Sequence, residues 1–346
     1  MGVTASKFLL WGTVVNLARS KQTAPDEKEM EEMEQRLMNP THGFFETNGG
    51  EKMHYLKYMP EGRTKPKGIC VFQHGIGAYC GKDFMPTMVS IMKENGFALY
   101  VPDMIGHGFS EGCRFYIPRG KWSINRDGLA EFAKFASSEH EKGTPLFLSG
   151  ESYGGCLSIH VARMWQDNPE QGPPGFGGIW LSSPAIIGDL PPKPVIFILR
   201  YFFAALFPRW TPFFMPHTVS PDRIWKDEKV RARNTSKRSI SMGLHSGGSQ
   251  FRLGTAVGLL RALEEVRKSA IPGLTVPFAV AHGTDDYCVP IAGTDFLLEH
   301  ATTPEDDRGV RRVKGGYHDL LSEETKVETM MFFMNWMNGR ISKKTS

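Results

Sequence analysis

The sequence predicts an α/β fold in which helices cover both faces of a mostly parallel sheet. Two observations support this fold class. Short apolar runs bounded by turn residues alternate with helix-length segments, a pattern typical of strands joined by crossover helices. A hairpin is predicted upstream, because residues 43–59 alternate in polarity and end at a turn-like Pro-Glu-Gly. The predicted strands of the parallel part are residues 68–73, 97–101, 146–149, 178–182 and 278–281.

Composition limits the classes of protein that fit. The chain has 346 residues, of which 40% are hydrophobic and 23% charged, as expected for one sizeable domain with a smaller inserted part. Its net charge of +4 does not indicate a nucleic-acid partner. The five cysteines show no paired metal-binding spacing, so we expect free thiols and a reducing compartment.

The alternation of strands and helices fails in one long stretch, which we interpret as an inserted cap. This stretch begins Pro-rich and aromatic, continues with a basic segment, and ends before the strand at residue 278. We therefore predict a core of residues 43–183 and 272–346, a helical cap of residues 184–271, and an N-terminal arm of residues 1–42.

The N-terminal arm contains an apolar run at residues 8–15, far shorter than the roughly 20 residues that cross a bilayer. Three interpretations stay open. Gly2 followed by Ser6 matches the myristoylation pattern, Lys7 before the apolar run allows a secretory or anchor signal, and an ordinary arm needs neither. We expect a cytoplasmic protein in peripheral contact with membranes, or endomembrane attachment through an N-terminal signal. The acidic run 26–34 predicts a solvated helix face.

Two segments match the Gly-x-Ser-x-Gly pattern of a nucleophile elbow. The segment 108–112 does not follow a strand directly and does not begin a helix. The segment 150–154 follows the strand 146–149 directly and precedes residues 155–165, whose apolar side chains recur at helical spacing. The tight turn between strand and helix places its serine on strained backbone, and the flanking glycines leave room for the neighbouring strand and helix, so Ser152 is the predicted nucleophile.

A serine nucleophile needs a base and an acid, which follow it in this architecture in the order acid, then histidine. Asp285 and Asp286 lie in the loop after the strand 278–281, and His318 lies in a glycine-rich loop near the C-terminus. His300 follows the acids too closely, on a predicted helix, for another strand to intervene. We therefore predict His318 as the base and one of the two aspartates as the acid.

Backbone N–H groups that stabilise the oxyanion are expected in the loop after the strand 68–73 and at the residue after the nucleophile. These positions are Ile76 and Tyr153. His74 precedes the loop, and we interpret it as a residue that organises the loop rather than as a base.

Five segments together resemble the monoacylglycerol lipase and lysophospholipase-like branch of the α/β-hydrolases, over residues 43–340. They are the loop 74–77, the segment 103–112, the elbow 150–155, the acid loop 282–290, and the pair Tyr317-His318. The resemblance implies the α/β-hydrolase fold, with a mostly parallel central sheet, helices on both faces and an inserted helical cap over the site. The chain departs from the pattern at Tyr153, where many relatives carry Met, and in the loop 78–84.

The same resemblance implies a role for each site residue. Ser152 is the nucleophile, His318 the base and Asp286 the acid that orients it, since the acid-loop pattern aligns its aspartate with Asp286 rather than with Asp285. Ile76 and Tyr153 are the oxyanion donors through their backbone N–H groups.

The first part of the cap is apolar on every side, with Arg200 as the single charged residue of 195–207. We predict that it lines an acyl channel and contacts lipid through Phe197, Phe202, Phe203 and Phe207; an ordinary buried cap helix is the alternative. Six of the 23 phenylalanines lie between Val195 and Met215, including Phe213 and Phe214. The basic segment 223–238 is either a solvated face or a patch for anionic lipid.

Together these features predict a serine hydrolase that cleaves the ester bond of monoacylglycerol-type lipids through an acyl-enzyme, without a metal or organic cofactor. The expected partners are a lipid ester substrate and the membrane surface, with no nucleic acid; the oligomeric state is left open. Lysophospholipase, another carboxylesterase and an acyltransferase are alternatives with the same chemistry. A hydrolase-fold ligand receptor or membrane scaffold is the non-enzymatic alternative.

Overall fold

An eight-stranded sheet forms the centre of the computed structural model, which describes residues 27–62, 65–118, 121–188, 192–213, 215, 217 and 219–345. In chain order the strands are β1 (Thr41–Glu46), β2 (Lys52–Tyr58), β3 (Gly68–Gln73), β4 (Phe97–Pro102), β5 (Leu146–Glu151), β6 (Phe176–Ser182), β7 (Phe278–Gly283) and β8 (Arg308–Val313).

The strand order is β1-β2-β4-β3-β5-β6-β7-β8. β1 and β2 form the predicted hairpin, β2 pairs antiparallel with β4, and all later pairings are parallel. The predicted fold class is therefore confirmed, and each strand predicted from an apolar run is present. β8 was not predicted, because this edge strand contains three arginines and only one fully buried residue, Val313.

Helices connect the strands and form the insertion between β6 and β7. They are α1 (Glu27–Arg36), α2 (Met85–Glu94), α3 (Ser123–Ser138), α4 (Tyr153–Asp167), α5 (Lys193–Ile198), α6 (Ala204–Leu206), α7 (Pro221–Ile224), α8 (Glu228–Asn234), α9 (Lys237–Ser241), α10 (Leu253–Glu265), α11 (Ala292–His300) and α12 (Lys326–Thr345). A π-helical turn, Leu199–Phe203, joins α5 to α6, and a second, Val266–Ala270, extends α10.

The inner strands β3, β4, β5 and β7 are buried on both faces, because successive strand residues point to opposite sides and each side is covered by helices. In β3, for example, Ile69 and Val71 belong to the same apolar cluster as residues of α3, α4, α10 and α11, whereas Cys70 and Phe72 belong to the cluster that includes residues of α1, α2 and α12. All five cysteines are free, as predicted.

The insertion between β6 and β7 has its own small apolar cluster, formed by Ala204, Met215, Leu253 and Val257. The later part of α10 and the turn after it pack into the main core instead, through Ala262, Leu263 and Val266. The last helix of the insertion thus connects cap and sheet, and the predicted cap limits, 184–271, stay a prediction.

Among the described residues, none of the helices combines the length and the hydrophobicity that a bilayer span requires. Gly2 and the apolar run 8–15 lie outside the described residues. The acidic face of α1 is not solvated throughout, because Glu34 is buried and its carboxylate lies 2.7 Å from Nε2 of His42.

Candidate active site

The nucleophile elbow lies between β5 and α4, with Ser152 at its tip. Ser152 has φ 55° and ψ −121°, a backbone conformation that is strained for a residue with a side chain. A Cβ atom on Gly154 would lie 2.1 Å from the carbonyl oxygen of Gln73, and one on Gly150 would lie 2.3 Å from the backbone of Gly154. Both glycines are therefore required by the close approach of neighbouring backbone.

Hydrogen bonds hold this strained turn in place. The N–H of Ser152 donates to the carbonyl oxygen of Ser182, at the end of β6, over 3.0 Å. The carbonyl oxygen of Ser152 accepts the N–H groups of Cys156 at 3.1 Å and Ala185 at 2.9 Å. The serine therefore has a fixed position relative to the ends of two adjacent strands.

The acid and the histidine meet beyond the carboxyl ends of β7 and β8, which are neighbours in the sheet. Nδ1 of His318 lies 2.7 Å from Oδ2 of Asp286. Oδ1 of Asp286 accepts the backbone N–H groups of Cys288 and Val289, both at 2.8 Å. Asp285, by contrast, is exposed and accepts the hydroxyl of its neighbour Thr284. Because Nδ1 of His318 is occupied by Asp286, Nε2 is the nitrogen left for proton transfer.

This pair shifts the pKa values of both groups. Burial disfavours the charged ring of His318, but the charge and hydrogen bond of Asp286 outweigh burial and raise the pKa of His318 above 6.5. Burial would raise the pKa of Asp286, yet His318 and His282 hold it below its usual range. The site thus stabilises an imidazolium, which a serine hydrolase forms when the histidine takes the serine proton.

His282 is a contributor that the sequence analysis did not assign. Its Nε2 lies 3.1 Å from the carbonyl oxygen of Val289 and 3.2 Å from Oδ2 of Asp286, and its Nδ1 lies 2.7 Å from the hydroxyl of Thr294. The ring of His282 therefore stabilises the acid loop through its contacts with Asp286 and Val289. Its position at the start of the acid-loop motif was the available signal.

Ile76 and Tyr153 both lie beside Ser152, where they line one cavity with it. Tyr153 is the first residue of α4, so its N–H has no acceptor within the helix. His74 organises the loop before Ile76: Nδ1 donates to the carbonyl oxygen of Gly75 at 2.8 Å, and Nε2 accepts the N–H of Met104 at 3.1 Å.

The cap also contacts the loop that contains Ile76. The N–H of Ser246 donates to the carbonyl oxygen of Gly77 over 2.8 Å.

The other Gly-x-Ser-x-Gly segment, 108–112, is structural, because the hydroxyl of Ser110 donates to the carbonyl oxygen of Asp103 and accepts the N–H of His54, each at 2.8 Å.

The cavity at Ser152 has a volume of about 330 Å³, and none of the described residues that line it is charged. Besides Ser152, Ile76 and Tyr153, its lining is Ala185, Ile187, Gly188, Val195, Ile196, Leu199, Met215, Val219, Phe251, Leu253, Ala256, Val257, Leu259, Leu260, Leu263, Cys288 and Val289. A larger cavity of about 420 Å³ is lined mostly by charged and polar residues around Asp319 and does not include Ser152. Of these two cavities, the apolar one opens onto the serine.

The aromatic residues predicted to line an acyl channel do not line this cavity. The helix that contains them contributes Val195, Ile196 and Leu199 instead. Phe197, Phe202 and Phe207 point outward and are exposed, and Phe203 is half-buried against the small cap cluster. The sequence could not show which side of an all-apolar helix faces inward; Phe214 lies outside the described residues.

The outward face of this helix is an unusually apolar surface. Of the thirteen large hydrophobic side chains that are exposed in the described part of the chain, nine lie between Val195 and Phe213. They are Val195, Phe197, Ile198, Tyr201, Phe202, Leu206, Phe207, Trp210 and Phe213. We call these nine residues the outer cap face.

The fold and this arrangement of loops define an α/β-hydrolase, with the serine after β5, the acid after β7 and the histidine after β8. Comparison with known families agrees with that class. The chain belongs to the family described as "Serine aminopeptidase, S33", whose model matches residues 64–325.

Similar proteins of known name include lipases and esterases. Monoglyceride lipase from Rattus norvegicus is 26% identical over 294 residues, which cover 83% of this chain and 88% of the relative. Caffeoylshikimate esterase from Arabidopsis thaliana is 25% identical over 307 residues, covering 87% and 86%. A soluble variant of monoglyceride lipase from Saccharomyces cerevisiae, solved with a substrate analog, superposes with a TM-score of 0.70 at 19% identity and covers 87% and 96% of the two chains.

Proposed function

We propose that the protein is a serine hydrolase of carboxylic esters, with Ser152, His318 and Asp286 as its triad. Oγ of Ser152 attacks the ester carbonyl while Nε2 of His318 takes its proton, and the N–H groups of Ile76 and Tyr153 stabilise the oxyanion. The ester C–O bond then breaks, and the leaving alcohol takes the proton from His318. Water then attacks the acyl-enzyme and passes one proton to His318. The bond between the acyl carbon and Oγ of Ser152 breaks, the acid leaves, and His318 returns the proton to Oγ.

The substrate class we propose is a monoacylglycerol, cleaved to a fatty acid and glycerol. The observation that carries this proposal is the cavity at Ser152. The lining residues that the structure describes are uncharged and largely aliphatic, which suits an acyl chain. An aminopeptidase, which the family description names, must bind the charged α-amine of a peptide, and none of the described residues that line this cavity carries a carboxylate. The monoglyceride lipases among the similar proteins favour glycerol as the alcohol.

Membrane contact through the outer cap face is the second part of the proposal. Phe213 is 89% exposed, and the nine residues of this face would bury apolar surface when they meet an acyl-chain boundary. A substrate that partitions into bilayers would then reach the cavity from the membrane surface. A cytoplasmic location and attachment of the arm through an acylated Gly2 belong to the same proposal; the mass of the mature N-terminus tests the acylation.

Purified protein assayed with a panel of substrates tests the activity. The panel contains a long-chain monoacylglycerol, a lysophosphatidylcholine and a triacylglycerol of the same chain, and an aminoacyl amide. We expect fatty acid release from the monoacylglycerol at a higher kcat/KM than from any other member, and none from the Ser152→Ala variant. Faster release from lysophosphatidylcholine would replace the proposed substrate by the lysophospholipase alternative, and cleavage of the amide alone would contradict the proposal.

A further inference from the structure

A buried lysine links the three loops of the candidate active site. Lys82 follows the loop of Ile76 along the chain, and its ammonium lies 2.5 Å from Oε2 of Glu151 and 3.2 Å from Oδ2 of Asp319. Glu151 directly precedes Ser152, and Asp319 directly follows His318. One side chain therefore connects the oxyanion loop, the elbow and the histidine loop.

The three charged residues are almost inaccessible to water. Lys82 is 5% exposed, Glu151 2% and Asp319 0%. Charges at such depth are costly unless they are paired, so each of the three depends on the others for its position. Lys82 offers a single positive charge to two carboxylates. Burial and the charge of Asp319 consequently raise the pKa of Glu151, against the opposing effect of Lys82.

The cap completes this network at Asp319. Nε1 of Trp225 donates to Oδ2 of Asp319 over 2.7 Å, and the hydroxyl of Ser322 donates to the same oxygen over 3.0 Å. The N–H of Asp319 donates to the carbonyl oxygen of Ile224, the residue before Trp225, over 3.3 Å. The residue after His318 is thus held by the cap from one side and by Lys82 from the other.

We propose that Lys82 is a positioning residue for the reaction. Through Glu151 and Asp319 it fixes the positions of Ser152 and His318 relative to each other. Trp225 connects the cap to the same network. Lys82 makes no contact with substrate in this role. It acts by fixing the two loops whose side chains must meet during proton transfer, where small displacements are costly in rate. The inference rests on the serine hydrolase site proposed above.

Lys82→Met tests the proposal on the full chain with p-nitrophenyl butyrate, a short water-soluble ester. Active sites are titrated with a fluorophosphonate, so that kcat refers to folded, competent enzyme. We expect kcat to fall at least about tenfold with KM within twofold, and Lys82→Arg to restore part of the loss. Lys57→Met is the matched control, because Nζ of Lys57 lies 2.8 Å from a carboxylate oxygen of Glu139 and this ion pair is outside the site. We expect the kcat of this control variant to be unchanged.

Two gentler variants keep the test decisive where Lys82→Met does not fold. Trp225→Phe removes only the indole donor to Asp319 and should lower kcat, whereas Trp165→Phe, at a buried indole outside the network, should not. Glu151→Gln should move the acidic limb of the kcat/KM profile to lower pH. The carboxylate of Glu151, like that of Asp286, raises the pKa of His318, whereas Lys82 lowers it.

The possible results separate this inference from the function on which it rests. Wild-type protein that fails to react with the fluorophosphonate contradicts the proposed function itself. The positioning role alone is overturned if the wild-type protein reacts but the Lys82, Trp225 and Glu151 variants behave like it. In that case their kcat per titrated site stays within twofold of the wild-type value, and the acidic limb of their kcat/KM profiles does not move. A lowered unfolding temperature with unchanged kcat assigns Lys82 to stability only, and also overturns it.

Discussion

At the residue scale, the contact of 2.7 Å between His318 and Asp286 determines how the enzyme should respond to pH. In the proposed mechanism His318 accepts a proton from Ser152 only when the imidazole is neutral, so we expect activity to rise with pH through the pKa of His318. Since Asp286 raises that pKa above 6.5, we expect the acidic limb of kcat/KM to have its midpoint above pH 6.5. Hydrolysis of p-nitrophenyl butyrate between pH 5 and 9 measures the limb.

Replacing Asp286 by Asn removes the charge that raises this pKa. We expect the acidic limb to move to lower pH and kcat to fall by about 10⁴-fold, because the neutral amide no longer favours the productive tautomer or stabilises the imidazolium. Asp285→Asn is the matched control, since Asp285 is exposed and contacts Thr284 rather than His318. An equal loss in both variants would contradict the assignment of Asp286 as the acid.

Patterns in the sequence predicted individual site residues where local chemistry demanded one residue type. The glycines of the elbow are such positions, because a Cβ atom on Gly154 would meet the carbonyl oxygen of Gln73. The choice between Asp285 and Asp286 needed the family resemblance, since either could follow a strand. Lys82, Glu151 and Asp319 were missed because their pairing joins segments that are far apart in the chain. A glutamate at the end of the apolar strand β5 was the one available signal.

At the scale of elements, the first helix of the cap has two different faces. Ile196 and Leu199 line the cavity at Ser152, while Phe197, Phe202 and Phe207 belong to the outer cap face. Val195 belongs to both, since it lines the cavity and is also 43% exposed. An element that is apolar on both faces can contact the acyl chain on one and the membrane on the other. The proposed lipid contact therefore belongs to this helix and the segment that follows it.

Removing two aromatics of the outer cap face should weaken membrane binding. Phe202 and Phe213 are 59% and 89% exposed, so Phe202→Ser with Phe213→Ser removes apolar surface without opening the core. We expect sedimentation with liposomes to fall about tenfold or more, because each phenylalanine contributes apolar area to the bound state. Turnover of p-nitrophenyl butyrate should be unchanged.

The matched control for this variant replaces exposed apolar residues elsewhere. Val310→Ser with Val327→Ser changes side chains that are 43% and 51% exposed on β8 and α12. Its liposome binding should equal that of the wild type. If the variant with Phe202→Ser and Phe213→Ser binds liposomes as well as the wild type does, the proposed membrane contact is refuted, although the hydrolytic function is not.

Elements were predictable where periodicity and turn residues agreed. The buried parallel strands read as short apolar runs because both of their faces pack against helices. β8 did not, because it lies at the sheet edge and exposes arginines whose partners, Glu328 and Asp295, lie on helices. The inward-facing side of the cap helix could not be predicted either, since hydrophobic periodicity does not distinguish the faces of a helix that is apolar all round.

At the scale of the whole molecule, topology brings the functional loops together. The serine, the acid and the histidine follow β5, β7 and β8, all parallel strands of one sheet whose carboxyl ends lie at the same edge. The order of these residues along the chain was therefore sufficient to predict one site. The cap contacts two of these loops, since Ser246 donates a hydrogen bond to Gly77 and Trp225 donates one to Asp319.

The most direct test of the central claim is covalent labelling of the intact protein with a fluorophosphonate, followed by mass analysis of its peptides. The proposed mechanism predicts one equivalent of label per chain, attached to Ser152, and no labelling of a folded Ser152→Ala variant. Labelling that persists in that variant, or its absence from folded wild-type protein, would contradict the assignment of Ser152 as the nucleophile of a serine hydrolase.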